Sequence, residues 1–359
     1  LIEPQLCVNI PFEDLSWLEA DAREEAVHAA MRRELQEPFD LAQGPLLRLK
    51  ILKVAVDEHI LLRTLHHIVC DGWSQGIFNQ ELTALYAAYR EARENPLSPL
   101  PVQYADFTLW QRRWLEGCEM ESLLAYWKQQ LAGMPPRLEL PADRVCVARA
   151  FAADVVQMSL PSDQVAALKR LSHQNQTTLY MTLVAGLALL LSRYSGQDDI
   201  VIGAPIANRQ DAHLEEMIGF FVNSLALRVR LKPDMSLRAL LAQVRQTALE
   251  AYQHQDLPFA RLVQELSPQR TVNTTPIFQV QMVLQNAPLH PLRLEGLQVE
   301  LMKAVERHVR FDLEIHVIEQ NSNLMLMWLY KRGLFDSWRI EQMARHFSGV
   351  LEMMVENAD

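Results

Sequence analysis

A chain of 359 residues is too long for one ordinary hydrophobic core and points to two domains or lobes. Hydrophobic residues make up 49% and charged ones 22%, a globular balance that excludes a disordered chain. The formal charge of −10, with no run of Lys or Arg, argues against nucleic acid as a partner. Four scattered cysteines, Cys7, Cys70, Cys118 and Cys146, argue against a disulfide framework or a zinc site and fit a reducing cytoplasm.

In chain order, a helix is predicted near Asp21 to Leu35, then paired strands over Leu46 to Val54 and His59 to His67. Ser74 is placed to cap the next helix, whose buried face carries Ile77, Phe78, Leu82, Leu85, Tyr86 and Tyr89. Amphipathic segments follow around Phe107 to Trp114 and Leu123 to Leu131. Between Ala132 and Ala150 proline is dense and periodicity is lost, which marks a lobe boundary. The reading is a first lobe over residues 1–132, a linker over 133–154 and a second lobe over 155–359. Beyond the linker, Ser162 is placed to cap Val165 to His173. A buried helix covers Thr178 to Tyr194, and Ile200 to Gly203 forms a strand. Ser236 caps a helix from Leu237 to Gln253. Strands over Phe278 to Leu284, Phe311 to Glu319 and Leu324 to Tyr330 precede a last helix from Ser337 to Glu356.

The longest uncharged apolar stretch, Leu179 to Leu191, is shorter than the roughly 18 residues of a membrane span, so it is expected to be a core helix. Glu3 interrupts an opening without a basic residue, against a signal peptide. The sequons at Asn175 and Asn273 are then chance matches.

The run Leu65-His66-His67-Ile68-Val69-Cys70-Asp71-Gly72-Trp73-Ser74 places two imidazoles, a carboxylate and a glycine at a strand-to-helix corner. Successive side chains on a strand face opposite ways, so one histidine is expected to be structural. HExxH and HxH spacings are missing, which disfavours a metal. Acid/base chemistry fits better: His67 is placed to take a proton near neutral pH, while Asp71 either orients it or is locked by an arginine. A competing pattern, Gly72-Trp73-Ser74-Gln75-Gly76, matches the GxSxG nucleophile elbow of serine hydrolases. Four residues separate the strand from that glycine, and no HGGG-like stretch supplies an oxyanion hole. Ser74→Ala is accordingly expected to do little.

His66-His67-Ile68-Val69-Cys70-Asp71-Gly72 resembles the HHxxxDG signature of nonribosomal peptide synthetase condensation domains, members of the chloramphenicol acetyltransferase-like acyltransferases. Further matches occur in the family's order: Pro38 to Leu41 with Gly44 to Arg48, Tyr104 to Trp110, Ile218 to Ser224, His254 to Phe259, Pro276 to Gln279 and Arg310 to Leu313. Epimerization domains share the signature, but Phe220-Phe221-Val222-Asn223 and Pro258-Phe259 are closer to condensation domains. The resemblance spans the chain but begins late: the family's SxAQxRxW-like and RHxxLRTxF-like segments are not found. The first lobe is therefore expected to lack a strand and a helix. Cys70 stands where the family usually has a small residue, and Arg270 to Asn273 replaces a more regular run.

The resemblance implies an α/β fold of two chloramphenicol acetyltransferase-like sandwich lobes, forming a V-shaped pseudodimer with one active site in the tunnel between them. It implies peptide-bond formation, in which a donor acyl or peptidyl thioester passes to the α-amine of an acceptor aminoacyl thioester. No cofactor binds the domain itself; substrates arrive on the 4'-phosphopantetheine of donor and acceptor peptidyl carrier proteins, beside an adenylation domain. His67 is implied as general base or orienting partner. His66 completes the motif, Asp71 is a structural residue paired with an arginine, and Gly72 is a turn near the reaction centre. Trp73, Asn223 and Ser224 are assigned to the tunnel. Because the family's usual arginine lies in a segment not found here, Asp71 is expected to use another partner, such as Arg48 or Arg63, or to remain incompletely paired. Leu284 to Pro288 leans toward domains that follow an epimerization step. A noncatalytic recruiting platform of the same fold is the remaining alternative.

Overall fold

The computed structural model describes residues 8–144, 151–266, 275–285, 290–302 and 307–357. Cys7, Cys146, the Arg270–Asn273 run with its sequon, and Asn286–Pro288 lie outside the described residues. The elements are β1 (Phe12–Asp14), α1 (Ala20–Gln36), β2 (Leu47–Lys53), β3 (His59–Leu65), α2 (Gly72–Arg90), α3 (Tyr104–Trp114) and α4 (Cys118–Leu131). They continue with β4 (Ala152–Leu160), α5 (Ser162–Gln174), α6 (Leu179–Ser195), β5 (Asp199–Ile206), α7 (Ala212–Glu215), β6 (Asn223–Arg230), α8 (Leu237–Gln253) and α9 (Phe259–Leu266). The chain closes with β7 (Val280–Leu284), β8 (Arg307–His308), β9 (Leu313–Gln320), β10 (Asn323–Lys331) and α10 (Ser337–Glu356).

One compact unit comprises Leu1–Tyr104, Arg209–Phe221 and Ala287–Glu306. Its sheet has the order β1-β2-β3, with β1 parallel and β3 antiparallel to β2. On one face Leu52 and Val54 join Leu15 with Val27 and Ala30 of α1 in a small core. On β3, Arg63 reaches α2 instead: its guanidinium donates to Gln75 Oε1 at 2.6 Å and Asn79 Oδ1 at 2.8 Å and lies over the Phe78 ring. Residues 290–295 run along α2. The carbonyls of His290 and Glu295 accept from Asn79 and Arg90, and the Arg293 N–H donates to the Thr83 hydroxyl.

The other unit comprises Ala105–Asn208, Val222–Asn286 and Arg307–Asp359. Its seven-stranded sheet has the order β6-β5-β7-β9-β10-β4-β8, with β5, β7 and β9 parallel and the other pairs antiparallel. Alternation decides which side chains enter the core: Leu313, Ile315 and Val317 of β9 and Leu324, Leu326, Trp328 and Tyr330 of β10 are buried. α6 packs against α8 and α10 and is buried nearly all round, as its sequence predicts. Thr178 and Ser236 cap α6 and α8 by accepting the N–H of Met181 and Ala239, each at 3.2 Å. Ser162 does not cap α5. Extended Pro161 already offers its carbonyl to the Val165 N–H, so the helix starts with Ser162 inside it.

Gly203, in β5, sits against the ring of Phe278, which also packs on the rings of Phe259 and Phe311. A Cβ at this position would come 2.6 Å from Phe278 Cδ2 and Cζ. Gly203→Ala is expected to destabilise the domain by about 1–3 kcal/mol through overpacking, read as a lowered Tm in a thermal melt.

Candidate active site

β3 ends at Leu65, and the chain turns before the second histidine. His66 is extended and caps a single 3-10 turn, His67–Val69, its Nδ1 accepting the Ile68 N–H at 3.1 Å. Its ring meets Phe39 edge-on, with centroids 5.8 Å apart. His67 opens the turn and is exposed. Pleat alternation therefore does not separate the two imidazoles, contrary to the sequence reading; the 3-10 turn does. Asp71, not Ser74, caps α2: its Oδ1 accepts the Ser74 N–H at 2.8 Å, and Ser74 is the third helical residue. An Asp followed by a third-position N–H satisfies an orphan donor better than a hydroxyl already inside the helix.

Asp71 and Ser74 are the hub of a buried polar knot built with Arg209–Phe221, the second segment of the same unit. Asp71 is 3% exposed and Ser74 fully buried. Arg209 Nη2 lies 3.2 and 3.4 Å from the two Asp71 carboxylate oxygens and donates to Ser74 Oγ at 2.8 Å. Asp71 Oδ2 accepts the Phe221 N–H at 3.0 Å. The Asp71 N–H donates to the Gly219 carbonyl at 3.1 Å. Ser74 Oγ bonds both the Gly219 carbonyl, at 2.9 Å, and the Gly219 N–H, at 3.1 Å. The guanidinium also donates through Nη1 to the carbonyls of Leu214 and Met217 and lies 4.1 Å from the Phe221 ring centroid. Burial pulls the Arg209 guanidinium below its usual pKa while Asp71 pushes back; burial and then Asp71 hold the Cys70 thiol up. Gly219 admits no side chain: a Cβ would fall 2.6 Å from Tyr104 Cε2 and 2.8 Å from Phe221 Cε2.

The Condensation domain family model matches residues 1–359. The chain belongs to the condensation-domain family. It is 42% identical to a linear gramicidin synthase protein of Brevibacillus parabrevis over 99% of its own length, and it spans only 5% of that relative. It is 40% identical to phosphinothricin tripeptide synthetase PhsC of Streptomyces viridochromogenes, covering 93% of this chain and 31% of that one. Among solved structures it is similar to the X-domain from teicoplanin biosynthesis (TM-score 0.89, 26% identity, 100% of this chain and 81% of that chain). The first condensation domain of the calcium-dependent antibiotic synthetase has the same fold (TM-score 0.75, 22% identity, 99% and 80% covered). The mixed α/β architecture is thus the chloramphenicol acetyltransferase-like one that the motifs imply.

In this condensation domain Asp71 does find another partner, but it is Arg209 and neither Arg48 nor Arg63. Arg48 stands on the α1 face of the hairpin, where Glu34 Oε2 and the carbonyls of Glu34 and Glu37 hold it. Arg63 is occupied by Gln75 and Asn79. Gly72 is the first residue of α2 rather than a turn; it is exposed, and a Cβ there would meet nothing within 4 Å. Trp73 donates through Nε1 to the Glu215 carbonyl at 2.9 Å. Asn223, in the other unit, spends its amide on backbone: Nδ2 donates to the carbonyls of Gln255 and Leu257, and Oδ1 accepts the Phe259 N–H. Ser224 pairs with Pro205 in the β5–β6 ladder. Sequence reasoning misses Arg209, which lies in a loop without periodicity; Phe220 and Phe221 fall within a matched motif but carry no titratable signal. Among the described residues no group of three or more His, Cys, Asp or Glu side chains is arranged to hold a metal ion.

The hydrolase elbow fails on geometry. Ser74 Oγ is surrounded by a carboxylate, a guanidinium and the Gly219 backbone, none of them an imidazole base. The knot also reverses the expectation that Ser74→Ala is silent: it strands buried partners and is expected to cost about 1–3 kcal/mol. Asp71→Asn, which leaves Arg209 buried without its counter-charge, is expected to cost more, about 3–5 kcal/mol. Denaturant unfolding of both variants checks the order; Asp71→Asn equal to wild type would remove the aspartate from the scaffold.

Proposed function

We propose that this domain joins a carrier-bound donor acyl or peptidyl thioester to the α-amine of a carrier-bound acceptor, with His67 handling the proton. The observation that carries this is the His67 imidazole. It is exposed, and among the described residues neither ring nitrogen has a hydrogen-bond partner, beside an Asp71 wholly engaged in scaffold. In the reaction the amine nitrogen bonds to the thioester carbonyl carbon and the carbon–sulfur bond breaks. The proton lost by the amine goes to a His67 ring nitrogen and from there to the departing thiolate, leaving an amide and a free pantetheine thiol. No enzyme nucleophile is required: Ser74 and Cys70 are buried, and placing an amine against a thioester supplies much of the rate by itself. In this reading the substrates ride on 4'-phosphopantetheine arms of donor and acceptor carrier proteins with an adenylation domain alongside, as its synthetase relatives suggest. His66 supports the turn, and Gly72 and Trp73, which follow it at the start of α2, border the substrate path.

A second reading, a noncatalytic platform, is favoured by one observation: a similar X-domain has been solved in complex with OxyB. The unengaged His67 sets the two apart, since docking does not need it. Intact-protein mass spectrometry of loaded donor and acceptor carriers incubated with the domain should show transfer of the donor group. His67→Ala should lower the rate by about 10²–10⁴ without lowering Tm, because the side chain is exposed. Equal transfer by wild type and His67→Ala would contradict the assignment, and no transfer by wild type would favour the platform.

A further inference from the structure

An imidazole that serves as a base is commonly oriented by a carboxylate on its second nitrogen. Here Asp71, four residues away, is taken up by Arg209, Ser74 and the Phe221 N–H, so it does not orient His67. What touches the imidazole is the ring of Phe220, with centroids 5.1 Å apart and planes at 88°. Phe220 is half-buried, and its ring stands perpendicular to the exposed imidazole. Its backbone is fixed from three sides. Its carbonyl accepts from Tyr104 Oη at 2.8 Å, Gly219 before it is bonded to Ser74, and Phe221 after it is bonded to Asp71. The Tyr104 ring stands edge-on to Phe221, centroids 5.2 Å apart, and fills the space a side chain at Gly219 would need.

The geometry points to Phe220 as the positioning residue of His67, with Tyr104 behind it. The aromatic edge-to-face contact selects one imidazole rotamer and, unlike a carboxylate, leaves both ring nitrogens for the reacting amine and thiolate. The inference rests on His67 handling the proton, but its test separates from that reading. A contact of this kind biases a rotamer by about 3- to 10-fold.

The experiment compares Phe220→Leu, Phe220→Tyr and Tyr104→Phe in the whole domain. It reads kcat and KM with loaded carriers, and the His67 side-chain three-bond couplings by NMR of histidine-labelled protein. Phe220→Leu should lower kcat about 3- to 10-fold at unchanged KM and move the His67 couplings to rotamer-averaged values. Phe220→Tyr should restore both readouts, and Tyr104→Phe should shift both part-way. Should Phe220→Leu not fold, Tyr104→Phe decides: His67 couplings identical to wild type overturn the inference. So does a Phe220→Tyr variant as impaired as Phe220→Leu. A wild type that transfers nothing would sink the condensation reading while the couplings still decide the role of Phe220.

Discussion

The ion pair between Asp71 and Arg209 joins residues 138 apart in sequence, and the geometry of the histidine motif depends on it. A carboxylate and a guanidinium withdrawn from water are tolerated only when every lone pair and proton is otherwise answered. Here Ser74, the Phe221 N–H and the carbonyls of Leu214 and Met217 answer nearly all of them, and Arg209 Nε alone among the guanidinium nitrogens is buried without a partner. One aspartate thereby does two things at once. It caps α2, fixing where the helix starts, and it anchors the segment that carries Phe220 to the turn that carries His67.

That division of labour separates a buried scaffold from an exposed imidazole within the short stretch from His67 to Ser74. Asp71 and Ser74 are buried and fully bonded, whereas His67 is exposed with one aromatic neighbour. Transfer between a thioester and an amine needs little more than two reactants in register and a place for one proton, so a site with no enzyme nucleophile is chemically sufficient. The similarity to both condensation domains and an X-domain shows that the fold alone does not decide between transfer and docking. The unengaged imidazole is what favours transfer.

Much of this is legible in the sequence, for identifiable reasons. α8 announces itself by helical spacing and a Ser at the cap, α6 by an uncharged apolar run too long for a strand, and α1, the β2–β3 hairpin and α10 fall where the sequence places them. β6 escapes a sequence reading because Asn223 to Arg230 looks like a motif with a tail, and β4 because Ala152 to Leu160 begins inside a stretch that reads as linker. The cap of α2 shifts by three residues because Ser and Asp are both good caps, and only the backbone shows which one precedes the helix. Arg209 is invisible for a different reason: an ion pair across 138 residues leaves no local trace, and Arg48 and Arg63 are nearer in sequence but already engaged by their own helices.

The most direct test of this account is a double-mutant cycle between Asp71 and Arg209, reading unfolding free energy for Asp71→Asn, Arg209→Met and the two together. If the pair is the keystone, each single change strands a buried partner, and the double variant loses less than the sum of the singles by about 1–3 kcal/mol. Additive losses, with no coupling between the two positions, would contradict it.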